Sequence, residues 1–198
     1  MAGKFMQLML TPEVQAAEEH YFGRHHAVAD APERDPFTGD EAEFIAARDS
    51  FYIATINSDG WPYIQHRGGP PGFLKVLGPN LLGFADLKGN RQLISVGNLA
   101  GEDRVALFLM DYPGQQRLKI LGHAHVLDAR ENPALADQLS PSAELRDKIE
   151  RIIMIATISF DWNCSQYITQ RFTADEVVKL SAGLRDRIAE LETRLGGK

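Results

Sequence analysis

The sequence contains very little cysteine: Cys164 is the only one among 198 residues. A single cysteine excludes an intrachain disulfide and a cysteine cluster for a metal. No neighbouring residue is basic enough to generate a thiolate. We therefore expect Cys164 to be a small buried residue rather than a nucleophile.

The sequence also lacks long hydrophobic runs and a surplus of basic residues. No run approaches the roughly 18 apolar residues that a membrane-spanning helix needs. The N-terminal segment MAGKFMQLML is too short and too lightly charged for a secretory signal, so we predict a cytoplasmic protein without a membrane partner. The formal net charge of −6 argues against nucleic acid as the partner. An anionic ligand would therefore need a local basic pocket.

The common catalytic motifs are missing as well. The sequence contains no Gly-x-Ser-x-Gly turn, P-loop or dinucleotide fingerprint. The spacing of His66, His123 and His125 does not suggest a catalytic triad. His123 and His125 would share one face of a strand, but without carboxylates at matching spacing we expect partly exposed histidines. We predict no metal site and assign no catalytic residue.

Short apolar runs separated by tight turns fill the centre of the sequence. Asp59-Gly60 joins two of them into a hairpin, because this dipeptide supplies the positive φ angles of tight turns. Gly78-Pro79-Asn80 joins a second hairpin. The predicted strands are Phe51–Asn57, Trp61–Arg67, Phe73–Leu77, Leu81–Asp86, Arg104–Tyr112, Arg117–Leu127 and Ile152–Trp162. Six or seven such strands indicate a mainly β fold, an antiparallel barrel with flanking helices.

Helical patterns lie mostly outside this central region. Thr11–Phe22 has a Thr cap and an early Pro, and Thr173–Leu195 opens with capping-box spacing. Further predicted helices are Glu41–Arg48, Asn90–Asn98 and a segment broken at Pro141. We divide the chain into an N-terminal helical extension (1–48), a barrel domain (49–171) and a C-terminal helix (172–198), which is exposed or contacts a dimer partner.

The stretch Gln65–Leu99 combines glycines, prolines and cations between its apolar runs. Arg67 precedes Gly68-Gly69, and Arg91 at the predicted helix start could bind a phosphate in bidentate fashion. On composition alone, a plain loop with solvated cations is an equal alternative. Gln65 and His66 could reach the edge of a flat heterocycle. Asp86 could face a ribityl hydroxyl, although a helix cap is the favoured role.

A second polar segment, Asp161–Arg171, directly follows the last predicted strand. It places Trp162 beside many hydrogen-bonding side chains. Two interpretations are equally supported: the indole stacks on a ligand, or it packs in the core with a satisfied N–H group.

The order of several segments resembles a known family. These segments are ATINSDGWPYIQHR, GFAD, KGNRQ, GEDRVALFLMDY and RLKILGHAHVL. Together they resemble the FMN-binding split-barrel proteins related to pyridoxamine 5′-phosphate oxidase, over about Phe44–Arg171. The resemblance is greatest to a subgroup of FMN-binding proteins that carry HRGGPPG and a later DWNCxQxI segment.

The resemblance implies a split-barrel homodimer with two FMN molecules in its interface. By position it implies phosphate contacts, ring and ribityl contacts, and contacts from the opposite subunit. The implied phosphate residues are Asn90, Arg91 and Gln92. The implied ring and ribityl residues are Gln65, His66, Arg67, Gly68, Phe84, Ala85 and Asp86. The opposite subunit would contribute Arg117, Trp162 and Arg171. Two features of the oxidase are not carried over. Gly68–Gly72 interrupts the strand that leads to its ligand lysine, and WNCSQYITQRF lacks its Arg-Leu-His motif, so vitamin B6 oxidation is not expected.

The leading functional hypothesis is an FMN-dependent oxidoreductase acting on an unidentified small molecule or electron donor. Two alternatives remain open. One is a non-enzymatic module that binds, stores or senses a flavin or haem, because a fold does not determine a function. The other is a reductase that uses a deazaflavin in place of FMN.

Overall fold

A computed structural model describes residues 3–27, 29–162 and 165–196. Within these residues seven antiparallel strands form one sheet in the order β2-β1-β5-β6-β7-β4-β3. This confirms the predicted fold class, a mainly β split barrel with flanking helices. The strands are β1 Ser50–Ile56, β2 Pro62–Gly68, β3 Lys75–Gly78, β4 Leu81–Leu87, β5 Arg104–Asp111, β6 Gln116–Asp128 and β7 Ile149–Trp162.

The barrel interior follows from the alternation of side chains along each strand. In β1, Phe51 and Ile53 point inward and are almost fully buried, whereas Tyr52 between them points outward. Phe51 stacks on Phe73 with ring centroids 5.6 Å apart and meets Phe84 edge-on at 5.3 Å. These aromatic contacts join β1 to β4 across the interior, so the sheet curls and brings β2 towards β4.

A bulge between the two longest strands requires a glycine. The pairing of β6 with β7 shifts register between Leu121 and Gly122. A Cβ atom at Gly122 would lie 2.6 Å from the carbonyl oxygen of Ala156, closer than van der Waals contact allows. Glycine therefore permits the close approach of the two backbones and the sharp curvature of the barrel at this point.

The helices are α1 Gly3–Met9, α2 Pro12–Phe22, α3 Gly39–Ala46, α4 Ile94–Gly101, α5 Pro133–Leu139 and α6 Ala174–Gly196, with a 3₁₀ turn at Ala143–Lys148. The Thr11 cap of α2 and the capping box of α6 are both present. The predicted break at Pro141 is also correct. Every helix among the described residues is too short or too polar to cross a membrane.

Two helices near the N-terminus differ from the sequence-based expectation. The predicted helix Glu41–Arg48 in fact begins earlier, at Gly39, because Thr38 and Glu41 form a capping box. Helix α1 was not predicted. It buries Phe5, whose ring lies 4.6 Å below the Lys119 ammonium group. Its short length gives too few turns for a recognisable helical period.

Candidate functional site

A buried ion network lies where β2 approaches β4, at the split of the barrel. Asp86 on β4 accepts hydrogen bonds from Arg67 Nη1 on β2 at 2.5 Å and from Arg151 Nε on β7 at 2.8 Å. The strand register places Asp86 directly opposite Arg151. The Asp86 side chain is only 4% exposed. A carboxylate this deeply buried needs paired cations, and two strands provide one each.

The network corrects the expected role of Asp86. A helix cap was favoured for this residue, but it lies inside a strand and binds two guanidinium groups. Arg151 was not identified from the sequence, because the last strand was predicted to begin at Ile152, the residue after Arg151. The strand in fact starts at Ile149, and Arg151 shares the inward-facing side with Ile153. A lone arginine in inward register with Ile153 and Ile155 was the available signal.

The charges leave this region locally basic although the whole chain is acidic. Burial lowers the pKa of Arg151, but hydrogen bonds and attraction from Asp86 and Glu150 outweigh that effect and raise the pKa overall. Arg67, Arg91 and Arg151 face the two carboxylates Asp86 and Glu150. Three positive charges against two negative ones give the local basic pocket that an anionic ligand requires.

Two adjoining clefts flank the pair formed by Arg67 and Asp86. The first, called the helix-side cleft, has a volume of about 200 Å³ and lies beneath the loop that leads to α4. The second, the strand-side cleft, has a volume of about 140 Å³. Ten predicted residues line one or both clefts: Gln65, His66, Arg67, Gly68, Phe84, Ala85, Asp86, Asn90, Arg91 and Gln92. The fold therefore brings three separate sequence segments together.

The loop before α4 differs from the prediction. Asn90, Arg91 and Gln92 were expected in the first turn of a helix, but α4 begins only at Ile94. Asn90 Oδ1 accepts a hydrogen bond from the Gln92 amide at 3.1 Å, forming a local turn. Arg91 and Leu93 have φ angles of 60° and 57°, in the left-handed region. This strained backbone is incompatible with a right-handed helix and points the loop over the cleft.

Polar contacts fasten α4 to the barrel beneath this loop. The Ser95 hydroxyl donates to Gln65 Oε1 at 2.7 Å, and Asn98 Nδ2 donates to Thr55 Oγ1 at 2.9 Å. Ser95 is buried. It also lines the helix-side cleft, although no sequence motif marked it. The first contact fixes the position of the predicted ligand residue Gln65, and both contacts fasten α4 to the barrel.

The remaining three predicted residues line neither of these clefts. The Arg117 Nε atom at the start of β6 is buried without a hydrogen-bond partner. The Arg171 guanidinium lies 5.0 Å from the centre of the Tyr112 ring. Trp162 donates its indole N–H to Glu41 Oε1 at 2.7 Å and meets Phe44 edge-on. The structure thus shows the core-packing alternative for this indole.

The segment that carries Arg171 is attached to the β5–β6 turn. Gln115 Nε2 donates to the Ile168 carbonyl at 2.6 Å, and Gln170 Nε2 donates to the Pro113 carbonyl at 2.8 Å. Arg117 and Arg171 therefore belong to the same end of the barrel. Asn163 and Cys164 lie outside the described residues, so the expectation of a buried Cys164 stays a prediction.

The histidine pair of β6 is partly exposed. His123 Nδ1 lies 2.7 Å from Asp103 Oδ1, and His125 is exposed on the same strand. Within the described part of the chain, no group of three or more His, Cys, Asp or Glu side chains could hold a metal ion.

Several solved structures are similar to this chain. HupZ of Group A Streptococcus is 11% identical, with 69% of this chain and 99% of that chain covered and a TM-score of 0.50. A Clostridium acetobutylicum protein related to general stress protein 26 of B. subtilis, of the pyridoxinephosphate oxidase family, is 14% identical, with 70% and 94% covered and a TM-score of 0.47.

An FMN-binding protein from Syntrophomonas wolfei is 9% identical, with 63% of this chain and 85% of that chain covered and a TM-score of 0.44. These identities are low, so the likeness concerns the fold. The comparison with curated proteins finds no match. The sequence profile of the pyridoxamine 5′-phosphate oxidase family matches residues 37–156, and the chain therefore belongs to that family.

Proposed function

We propose that this protein binds FMN at the split of its barrel and acts as an oxidoreductase on a small molecule. The observation that carries the proposal is the convergence of ten predicted residues on two adjoining clefts around the pair formed by Arg67 and Asp86. These residues come from β2 and from β4 with the loop that directly follows it, and the fold brings β2 beside the other two.

The chemistry of the donor set fits a phosphorylated flavin. The Arg67 Nε atom is buried without a hydrogen-bond partner, which is costly unless a ligand supplies an acceptor. The flavin ring offers carbonyl oxygens and ring nitrogens as acceptors. Arg91 is available for the phosphate, because its side chain is 62% exposed and its pairing with Glu150 is therefore weak. Asn90 and Gln92 flank it in the same loop.

A second copy of the chain completes the proposed site. Outward-facing apolar side chains of β1, β2, β5 and β6 form one surface, which includes Tyr52, Ala54, Ile64, Ala106, Phe108 and Leu121. Tyr52 and Ile64 are exposed there. An apolar surface of this kind favours a closed two-fold dimer. The partner would then supply Arg117 and Arg171, whereas the indole of Trp162 is engaged in its own core.

Bound FMN would supply hydride or electron transfer, chemistry that belongs to the cofactor. The protein would hold the phosphate with Arg91, position the ring with Gln65 and Arg67, and limit water around them. Membership of the oxidase family does not extend to its vitamin B6 reaction, because the sequence lacks the Arg-Leu-His motif of that enzyme.

Replacement of Arg91 by Ala tests the phosphate contact. Purified wild-type protein should be yellow and release FMN on heating. Arg91→Ala should lower FMN affinity at least tenfold, since a charge-assisted hydrogen bond contributes about 1.5–3 kcal/mol. Arg104→Ala is the control: it removes an exposed arginine paired with Glu102 that lines neither cleft. Colourless wild-type protein that does not bind added FMN would contradict the proposal.

Stopped-flow absorbance separates an enzyme from a flavin carrier. An oxidoreductase should have its FMN reduced by NADH or NADPH, and reoxidised by oxygen or another acceptor, faster than free FMN. Rates equal to those of free FMN would instead support a binding module. Competition between FMN and a deazaflavin in the same titration identifies the preferred cofactor.

A further inference from the structure

One carboxylate links two arginines at the wall of the helix-side cleft. Glu150 Oε1 accepts a hydrogen bond from Arg91 Nη2 at 3.2 Å, and Glu150 Oε2 lies 3.1 Å from Arg151 Nη2. Each carboxylate oxygen thus contacts a different guanidinium group. A phosphate can contact two guanidinium groups in the same way, because its oxygens point in different directions. The two arginines are already placed to share one anionic group.

These three residues lie on the boundary between two clefts. Arg91 and Arg151 line the helix-side cleft, which contains the predicted ligand residues Gln65 and Arg67. The same two arginines also line a wider outer cleft of about 520 Å³, together with Glu150. Glu150 does not line the helix-side cleft. The carboxylate therefore holds both guanidinium groups from the side opposite to the proposed flavin site.

The two arginines differ in how firmly they are held. Arg151 also binds the buried Asp86, and its side chain is only 19% exposed. Arg91 extends from a loop, and it forms an ion pair with Glu150. Burial raises the pKa of Glu150, but hydrogen bonds and attraction from Arg151 and Arg91 outweigh it and lower the pKa overall. Glu150 is thus an ionised, solvent-accessible partner that a stronger anion can replace.

We propose that Arg91 and Arg151 form a two-armed phosphate site with Glu150 as its internal counter-ion, which an incoming phosphate monoester displaces. Arg151 is the fixed arm and Arg91 the mobile one. A monoester is mostly dianionic at pH 7, so it attracts both arginines more strongly than a single carboxylate does. Glu150 consequently lowers affinity for the phosphate and leaves affinity for an unphosphorylated ligand unchanged. Only the identification of that monoester as FMN depends on the proposed function.

The test compares FMN with riboflavin, which differs only in lacking the phosphate. Flavin fluorescence titrations use wild-type protein and Glu150→Gln, a substitution of nearly equal size. FMN should bind the variant about three- to tenfold more tightly, because a nearby negative charge is removed in a partly screened setting. Riboflavin affinity should not change. Glu33→Gln is the control, since Glu33 is exposed and lines none of these clefts.

Two results would overturn this assignment. Unchanged or weaker FMN binding by Glu150→Gln would mean that Glu150 is neutral or orients Arg91 usefully. Equal tightening of riboflavin binding would mean that Glu150 acts on the ring rather than on the phosphate.

Arg151→Lys keeps a positive charge beside Asp86 but loses the guanidinium fork that reaches Glu150. It should weaken FMN binding and leave riboflavin binding unchanged; an FMN affinity equal to that of wild type would remove Arg151 from the site.

Inorganic phosphate tests the site independently of the flavin. The thermal unfolding midpoint of each full-length protein is measured in phosphate and in chloride at equal ionic strength. Phosphate should raise the midpoint of Glu150→Gln more than that of wild type. If wild-type protein binds neither flavin, the proposed function fails, and this comparison still decides the phosphate site. Equal midpoint shifts in the two proteins would then overturn it.

Discussion

The split of the barrel and the β5–β6 turn are both predicted to contact the same ligand, but they are built differently. At the split, buried ion pairs join Arg67, Asp86 and Arg151 across three strands. At the turn, Arg171 rests on the Tyr112 ring, and the buried Nε atom of Arg117 has no partner. The first region pairs its charges with one another within the described chain and leaves only the Arg67 Nε atom without a partner. In the second region, Arg117 and Arg171 form no ion pair with the described residues, and the Arg117 Nε atom has no hydrogen-bond partner.

This difference indicates which parts of the proposed site are preformed. A region whose charges are paired internally keeps its shape in the isolated chain and contributes to stability. A buried donor without a partner is costly and is expected where another molecule completes the structure. The split should therefore behave as a structural element that also binds ligand, whereas the turn should affect only ligand binding and assembly.

The largest effect is expected from Asp86→Asn. This substitution removes the buried charge that neutralises Arg67 and Arg151, and breaking a buried ion pair typically costs about 3–5 kcal/mol. We expect a loss of roughly 3 kcal/mol in the free energy of unfolding, measured by urea denaturation. Flavin retention should fall as well, because both arginines lose their fixed orientation.

Glu102→Gln is the matched control for this experiment. It also removes a carboxylate paired with an arginine, Arg104, but this pair is exposed and lies outside both clefts. We expect only a small change in unfolding free energy, because water screens the pair. A similar loss of unfolding free energy in the two variants would show that burial of the ion pairs at the split adds nothing to stability beyond an exposed pair.

The second effect concerns the turn and is expected in binding alone. Arg117→Gln removes a guanidinium whose Nε atom has no partner within the described chain. If FMN bound at the partner subunit's site satisfies this atom, the variant should bind FMN about tenfold more weakly, which is the contribution of one hydrogen bond to a charged group. The unfolding free energy without flavin should stay within about 0.5 kcal/mol of wild type. Calorimetry and urea denaturation measure the two quantities.

Light scattering decides whether the turn can act in this way at all. The proposal requires a dimer, because Arg117 and Arg171 line neither cleft of their own chain. A monomeric protein that still binds FMN would remove both residues from the site. Strong destabilisation by Arg117→Gln without flavin would instead assign Arg117 a role within its own fold.

The sequence predicted local structure well because local rules govern it. The Asp59-Gly60 hairpin and the capping box of α6 depend on residues a few positions apart, and both are present. The prediction of a helix beginning at Asn90 was wrong, because helical spacing does not reveal the left-handed φ angles of Arg91 and Leu93.

The ion network at the split was beyond sequence reasoning for a different reason. Asp86 and Arg151 are 65 residues apart. Their pairing depends on the register between β4 and β7, which no local pattern specifies. The ten predicted residues that line the clefts, by contrast, all lie within Gln65–Leu99, the stretch whose composition already indicated a candidate anion site.

The smallest effect is a pH dependence at Trp162, the predicted turn-side residue that the structure places in its own core. Burial raises the pKa of Glu41, but hydrogen bonds from Thr38 and from the Trp162 indole outweigh it, so the pKa lies below its usual 4.5. A carboxylate whose pKa is depressed in the folded protein stabilises the fold at any pH above its unfolded-state pKa. It loses that contribution as the pH falls through its folded-state pKa. The change should therefore occur below pH 4.5.

Glu41→Gln isolates this contribution from other titrating groups. Asp35 acts with the opposite sign: burial outweighs hydrogen bonds from the Lys4 and Phe5 amides and raises its pKa, so Asp35 favours folding as pH falls. Subtracting the unfolding free energy of Glu41→Gln from that of wild type cancels Asp35, which both proteins contain. The difference should be constant above pH 5, shrink below pH 4.5 and remain smaller than the effect of Asp86→Asn. A difference independent of pH would mean that the Glu41 carboxylate does not need its charge to hold the Trp162 indole.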